Sequence, residues 1–219
     1  MNHSLEADGI QLEFDGRPIL SDIYLKCETA KITGLLGRNG QGKTSLMNVI
    51  YGTLEAGSKS VRFDRQPVFH AYKRPELLLL LTQFNFIPSR LSLKRIFSDF
   101  SLDYRTFEKT FPEFRAKYNA SIKTLSGGER RLVEIYVIVK SESCFALLDE
   151  PFSHLSPLQV EQVKEMLKEE KQHKGLLITD HLYEHVIDIS DTLYVLANGK
   201  THLIKDISEI ETLGYARLS

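Results

Sequence analysis

One stretch constrains this chain more than any other. Gly37 to Thr44 reads GRNGQGKT, directly after the short apolar run KITGLLG and leading into a helix-patterned segment, Lys43 to Tyr51. G-x-x-x-x-G-K-[ST] between a strand and a helix is the pattern of a loop that wraps a polyphosphate. The glycines Gly37, Gly40 and Gly42 let the backbone curl so that successive N–H groups, including those of Arg38, Asn39 and Gln41, point inward, and the helix N-terminus behind them adds a favourable dipole. Lys43 is expected to reach the β- and γ-phosphates, Thr44 to place its hydroxyl on Mg²⁺, and Ser45 to serve the α-phosphate. The glycine spacing does not fit the G-x-G-x-x-G of dinucleotide folds. A glycine-rich turn with a surface lysine is the plainer alternative.

Two further stretches carry phosphate chemistry. FALLDE ends an apolar run in adjacent acids. Asp149 is placed to hold Mg²⁺ and Glu150 to orient or deprotonate an attacking water. LSGGE, Leu125 to Glu129, offers a serine hydroxyl at Ser126, backbone N–H groups at Gly127 and Gly128, and a helix start. One site does not need two phosphate cradles so far apart in the chain. The separation makes sense if the second cradle of one copy completes the site of another.

The rest of the sequence supplies the frame. IQLEF and DIYLKC alternate as strands, with turn chemistry at DGRP between them. LLLLLT, CFALLD and GLLITD are buried strands. GERRLVEIYVIV and SPLQVEQVKEMLKEEKQH are helices, and DTLYVLANGKTHLIK is a hairpin turning at Asn-Gly. Between Phe84 and about Lys123 the character changes to aromatics among charges, read as a small helical subdomain. Strands alternating with helices give an α/β class with a mainly parallel sheet. At 219 residues with 42% hydrophobic and 26% charged content, this is an ordinary globule of one domain.

GRNGQGKT, LSGGE and ALLDE in that order, with Gln83 after one strand and His181 after another, resemble the ATP-binding cassette (ABC) ATPases. The resemblance spans nearly the whole chain. It implies a P-loop NTPase core at about 1–83 and 131–219, an N-terminal antiparallel β subdomain, and a short helical subdomain at about 84–130. It also implies a head-to-tail pair of cassettes, expected here to be two identical chains, sandwiching two ATP molecules. Ser126, Gly127 and Gly128 of one would then face the γ-phosphate held by Lys43 of the other. Gln83 matches the residue that touches Mg²⁺ and the partner-facing subdomain, His181 the switch histidine on the γ-phosphate, and Phe14 the aromatic that stacks on adenine. The implied activity is Mg-dependent ATP hydrolysis driving a transporter. SGGERRLVEI, LLDEPF and ITDHLYEHV look most like the bacterial subgroup that includes lipopolysaccharide-export and branched-chain amino-acid ATPases; no substrate is assigned from them. The longest apolar run, Leu77 to Leu81, is far too short to cross a bilayer. The membrane permease is therefore expected on a separate chain, with this subunit peripheral on the cytoplasmic face of the membrane.

Three departures from the family pattern carry expectations. Ser156 stands where an aspartate usually follows Leu155, so communication between sites is expected to be looser. TAK replaces a glycine-bearing turn, implying a different turn geometry. The helical subdomain is short, implying a reduced partner surface. Two other readings stay open: a soluble ABC ATPase of a non-membrane assembly such as cofactor assembly, and a low-turnover nucleotide-binding regulator. The balance of 28 basic and 29 acidic residues gives no case for nucleic acid. HLYEH fits a zinc-peptidase pattern but would require a third ligand and a reason for the phosphate loop, and a partly exposed helix position is the plainer reading of His185. Cys27 and Cys144 are expected to be buried thiols in a reducing compartment. Met1 to Ile10 shows no basic start and apolar core, so no signal peptide is expected.

Overall fold

The computed structural model describes residues 2–212. The chain opens with β1 (Ser4–Phe14), β2 (Arg17–Leu20), β3 (Tyr24–Glu28) and β4 (Ile32–Leu36), then α1 (Lys43–Tyr51), β5 (Ser58–Phe63), β6 (Gln66–Pro67) and β7 (Leu78–Leu81). Helices α2 (Leu93–Asp99), α3 (Tyr104–Thr110) and α4 (Gly127–Lys140) follow. The last part alternates: β8 (Phe145–Asp149), α5 (Pro157–Glu170), β9 (Gly175–Thr179), α6 (Tyr183–Ile189), β10 (Thr192–Ala197), β11 (Lys200–Ile204) and α7 (Ser208–Thr212).

Two sheets result. β1, β2, β3, β5 and β6 pair antiparallel. The second sheet runs β11-β10-β4-β9-β8-β7, parallel throughout except for β11. β4, β8 and β9 are buried at every position, as strands covered on both faces must be, which is why they read as unbroken apolar runs. Alternate residues of those strands feed two cores. Leu35, Leu147 and Leu177 face the antiparallel sheet and α1; Leu36, Leu148 and Ile178 face α4, α5 and α6.

The segment between β7 and α4 forms two short helices, each with a side-chain cap: Ser92 accepts from the Arg95 N–H, and Asp103 from those of Arg105 and Thr106. Its aromatics Phe97, Phe107 and Phe111 pack on one another and on Tyr136 of α4, with ring centroids 4.8–6.4 Å apart. They belong to the same buried cluster as the parallel sheet.

The turn before β4 bends at a residue that is not glycine, and one expectation, for the cysteines, is corrected. Ala30 takes φ +63°, the left-handed conformation that favours glycine, at a cost of about 1 kcal/mol. Cys27 is buried, with burial pushing its thiol up to about 12, whereas Cys144, at the start of the edge-proximal strand β8, is only half-buried. Among the described residues no helix is long and apolar enough to cross a membrane.

Candidate nucleotide site

The C-terminal ends of the parallel strands all open on one side, where α/β sheets gather ligands. β4 leads into the Gly37–Gly42 loop, β7 into Gln83, β8 into Glu150 and β9 into His181. A cleft of about 610 Å³ is lined by Asn39, Gly40, Gly42, Lys43, Thr44 and Ser45 of the loop and α1, by Gln83, Glu150 and His181, and by Phe14 at the end of β1. Phe14 is 46% exposed, which an aromatic committed to the core would not be. Ser126, Gly127 and Gly128 do not line this cleft.

The loop is held from outside as well as by its own turn. Gly42 caps α1 in the left-handed conformation, φ +98°, and a Cβ there would lie 2.7 Å from Ile19 Cγ2. The Gln41 side-chain carbonyl accepts the Asn198 N–H at 3.1 Å, and Ser21 and Asp22 donate their N–H groups to the Gly199 carbonyl at 2.8 and 3.2 Å. The β10–β11 turn thus ties the loop to the sheet that carries Phe14. Lys43 is buried and donates to the carbonyls of Gly37 and Arg38. Burial lowers its pKa, with Glu150, Asp149 and Asp180 acting in the opposite direction.

The acids differ sharply. Asp149 is 2% exposed and its Oδ1 has no hydrogen-bond partner among the described residues. Burial raises its pKa to about 6, and neighbouring Glu150 adds to this; the Thr44 hydroxyl donates to it and works the other way, as do Lys43 and Arg131. Glu150 faces the cleft with φ +50°, a strained setting worth about 1 kcal/mol or more. Its N–H donates to the Thr179 carbonyl at 2.8 Å, and its carboxylate lies 3.7 Å from His181 Nδ1.

Two residues here escaped the sequence reading. Asp180 is fully buried, accepts the N–H groups of Phe152 and Leu182 at 2.9 and 3.0 Å, and sits 3.2 Å from His181 Nδ1. It splints the loops after β8 and β9, and burial raises its pKa. Arg131 reaches from α4 to the carbonyls of Thr82, Asp149 and Glu150 at 2.7–2.8 Å. An acid directly after the apolar run GLLIT was the available signal for Asp180. Nothing local marks Arg131.

The LSGGE stretch forms the start of α4. Ser126 is its N-cap, accepting the Glu129 N–H at 3.2 Å while Glu129 accepts the Ser126 N–H at 3.0 Å, a reciprocal capping box. Ser156 does the same for α5, paired with Gln159. The position read as a lost charge is therefore a helix cap. His181 precedes α6 rather than lying on it, so it shares no helix face with His185, whose ring packs edge-on against Phe152 at 5.7 Å.

A family model described as ABC transporter matches residues 20–153. The chain is 27% identical over 225 residues to the lipopolysaccharide export system ATP-binding protein LptB of Escherichia coli K12, covering 96% of this chain and 92% of that one. It is 30% identical over 216 residues to a probable ABC transporter ATP-binding protein of Azorhizobium caulinodans, covering 90% and 75%. The fold is similar to the solved structure of an ATP-binding subunit of an ABC transporter, with a TM-score of 0.78, 20% identity, and coverage of 97% and 95%.

Proposed function

The chain belongs to the ABC transporter family, and on that premise we propose in detail how it uses ATP and what it drives. It is an ABC ATPase whose turnover powers a transporter. The observation that carries the site assignment is the single cleft joining the Lys43 loop, Glu150, His181, Gln83 and Phe14.

In this reading Phe14 stacks on the adenine. The loop N–H groups and Lys43 hold the β- and γ-phosphates, with the α1 dipole behind them. Asp149, Thr44 and Gln83 hold Mg²⁺. The buried, unpartnered Asp149 oxygen beside the Thr44 hydroxyl supports this, because a hard cation takes such oxygen donors. An ion held there would supply positive charge against the negative charge that develops on the phosphate oxygens. Glu150 accepts the proton of the attacking water as the water oxygen bonds to the γ-phosphorus and ADP departs. His181 steadies the γ-phosphate, and Asp180 fixes the histidine's position. Ser126, Gly127 and Gly128 come from a second copy of the chain, so ATP closes a dimer and hydrolysis opens it. Residues 1–219 act as one domain in which the segment at about 84–130 meets the partner. That partner is a polytopic permease on a separate chain, with this subunit on the cytoplasmic membrane face and no nucleic acid involved. The names of the relatives, an export system component and a transporter ATP-binding protein, support it.

The test is steady-state Mg-ATPase activity of the purified chain beside Glu150→Gln. The variant is expected to bind ATP normally, to accumulate as a closed dimer in size-exclusion chromatography, and to lose turnover by roughly 10²-fold or more. Wild-type turnover in Glu150→Gln would remove its assigned role. Purification from native membranes with a stoichiometric polytopic protein tests the partner.

A further inference from the structure

The loop that carries Gln83 is loose in its middle and fastened at both ends. Gln83, Phe84, Asn85 and Phe86 are exposed, Phe84 to 82%. Thr82 before them and Ile87 after them are both held by α4. Arg131 donates to the Thr82 carbonyl at 2.7 Å. Arg130 donates to the Ile87 carbonyl at 2.6 Å, and Glu134 accepts the Ile87 N–H at 3.4 Å. Arg130 Nε and the Glu134 carboxylate are 3.3 Å apart, so the two ends of the clamp also brace each other.

Packing does not account for these residues. Glu134 and Arg131 are 0% and 3% exposed, and each keeps one polar atom, Oε2 and Nε, without a partner among the described residues. Burying charges incompletely satisfied is costly, and apolar side chains of similar size would pack α4 at least as stably. The geometry they impose is what sets them apart. Arg131 spreads one guanidinium over three carbonyls, of Thr82, Asp149 and Glu150, from two nitrogens fixed in a rigid planar fork, where an ammonium would have to reach all three from one.

We propose that α4 is a linkage between two nucleotide sites, with Arg130, Arg131 and Glu134 as positioning residues that set Gln83 and Glu150 by the placement of the helix. This rests on the hydrolytic reading of the cleft. Ser126, Gly127 and Gly128 begin the helix, and Arg130 and Arg131 lie one turn further on. Contact of the first turn with a neighbouring copy's nucleotide therefore shifts the groups that hold this copy's metal and water. Arg131 touches backbone only and acts through Glu150, whose left-handed φ needs an external hold.

The chain has no tryptophan, so Phe84→Trp places one reporter on the loop. In that background Arg130→Ala and Arg131→Lys are compared with the parent by tryptophan anisotropy, affinity for a fluorescent ATP analogue, and ATPase turnover. The expected result is lower anisotropy, analogue Kd within about threefold of the parent, and kcat down roughly 10- to 100-fold, as for a catalytic group displaced by about an ångström. Glu134→Gln, which keeps an acceptor for the Ile87 N–H, is expected to stay close to the parent, and Glu134→Leu to behave like Arg130→Ala. Unchanged anisotropy and kcat in Arg130→Ala and Arg131→Lys would overturn the proposal. So would a fall in kcat matched by an equal loss of analogue binding, which would make the residues part of the fold. A parent that binds the analogue without turnover would instead defeat the hydrolytic reading, while anisotropy would still decide the clamp.

Discussion

The two segments we propose as phosphate cradles are built from similar residue types and differ in what surrounds them. The base of the Gly37–Thr44 loop is held by its own chain, while Arg38 to Gly40 at its tip are exposed. Gly42 is left-handed, its missing Cβ would collide with Ile19, and Lys43 behind it is buried. At the start of α4, by contrast, Ser126 and Gly127 are exposed, and a Cβ on Gly127 would meet nothing within 4 Å. Gly127 has no positive φ to demand glycine either. Gly42 is therefore required by its own chain and Gly127 is not, although Gly128 beside it is, since a Cβ there would lie 2.8 Å from the His154 carbonyl. A glycine that its own fold does not need makes sense where something from outside comes close to the backbone, and this is why we assign that cradle to a neighbouring copy's nucleotide.

The contrast can be broken experimentally. Gly42→Ala is expected to have the largest effect: a loss of ATP affinity of roughly 10²-fold together with about 2 kcal/mol of stability, from left-handed strain plus the clash at Ile19. Isothermal titration and urea unfolding read both, and a variant with parental values would mean the loop is not rigidly held. Gly127→Ala is expected to do the opposite to the fold, adding about 0.5 kcal/mol because alanine loses less backbone freedom in a helix, while lowering kcat roughly tenfold or more through obstruction of a close approach. If stability and turnover rose together, the external-contact argument would fail.

Asp149 sharpens the comparison within the closed cradle. Its folded-state pKa of about 6 lies above the ordinary carboxylate value of 3.8. The folded chain therefore keeps the proton longer than the unfolded one, and this group's stabilising effect, full below pH 4, is lost as pH rises through 6. Asp149→Asn is accordingly expected to melt higher than the parent at pH 8, by an amount equivalent to about 3 kcal/mol, and to show little difference at pH 4. By the same ionisation the Mg²⁺ concentration for half-maximal activity should rise about tenfold per pH unit below 6. A pH-independent stability difference would contradict the burial of that carboxylate.

The smallest effect concerns Ser156. As the N-cap of α5 it is worth about 1 kcal/mol, so Ser156→Ala should lower stability by that amount while Ser156→Asp, an equally good cap, leaves it unchanged. Turnover cooperativity in Ser156→Asp then reports on charge alone.

Legibility of this molecule in its sequence followed locality. GRNGQGKT, ALLDE and LSGGE are contiguous, and each carries its own backbone requirement, so the strand ends and helix starts could be read directly. The parallel core strands were legible because burial on both faces leaves them uniformly apolar. Arg131, by contrast, works through carbonyls nearly 50 residues upstream and almost 20 downstream, and the Gln41–Asn198 bond spans most of the chain. Such contacts leave no periodicity. Ser156 was legible in another sense: S-x-x-Q before an apolar-periodic segment is a capping box, a local signal that stands whether or not an aspartate is usual there. The Ala30 turn shows the converse, a left-handed conformation at a residue that is not glycine.

The strand order has a consequence for how the chain comes into being. β4, which carries the nucleotide loop, pairs with β9 on one side and β10 on the other, and both leave the ribosome long after it. During synthesis the loop is made early, but its strand has no sheet to join until residues 175–197 have emerged. ATP meets a competent cradle only once those later strands have been made and paired. An apolar strand waiting that long for non-local partners is where this protein should be slowest to fold and most prone to associate wrongly.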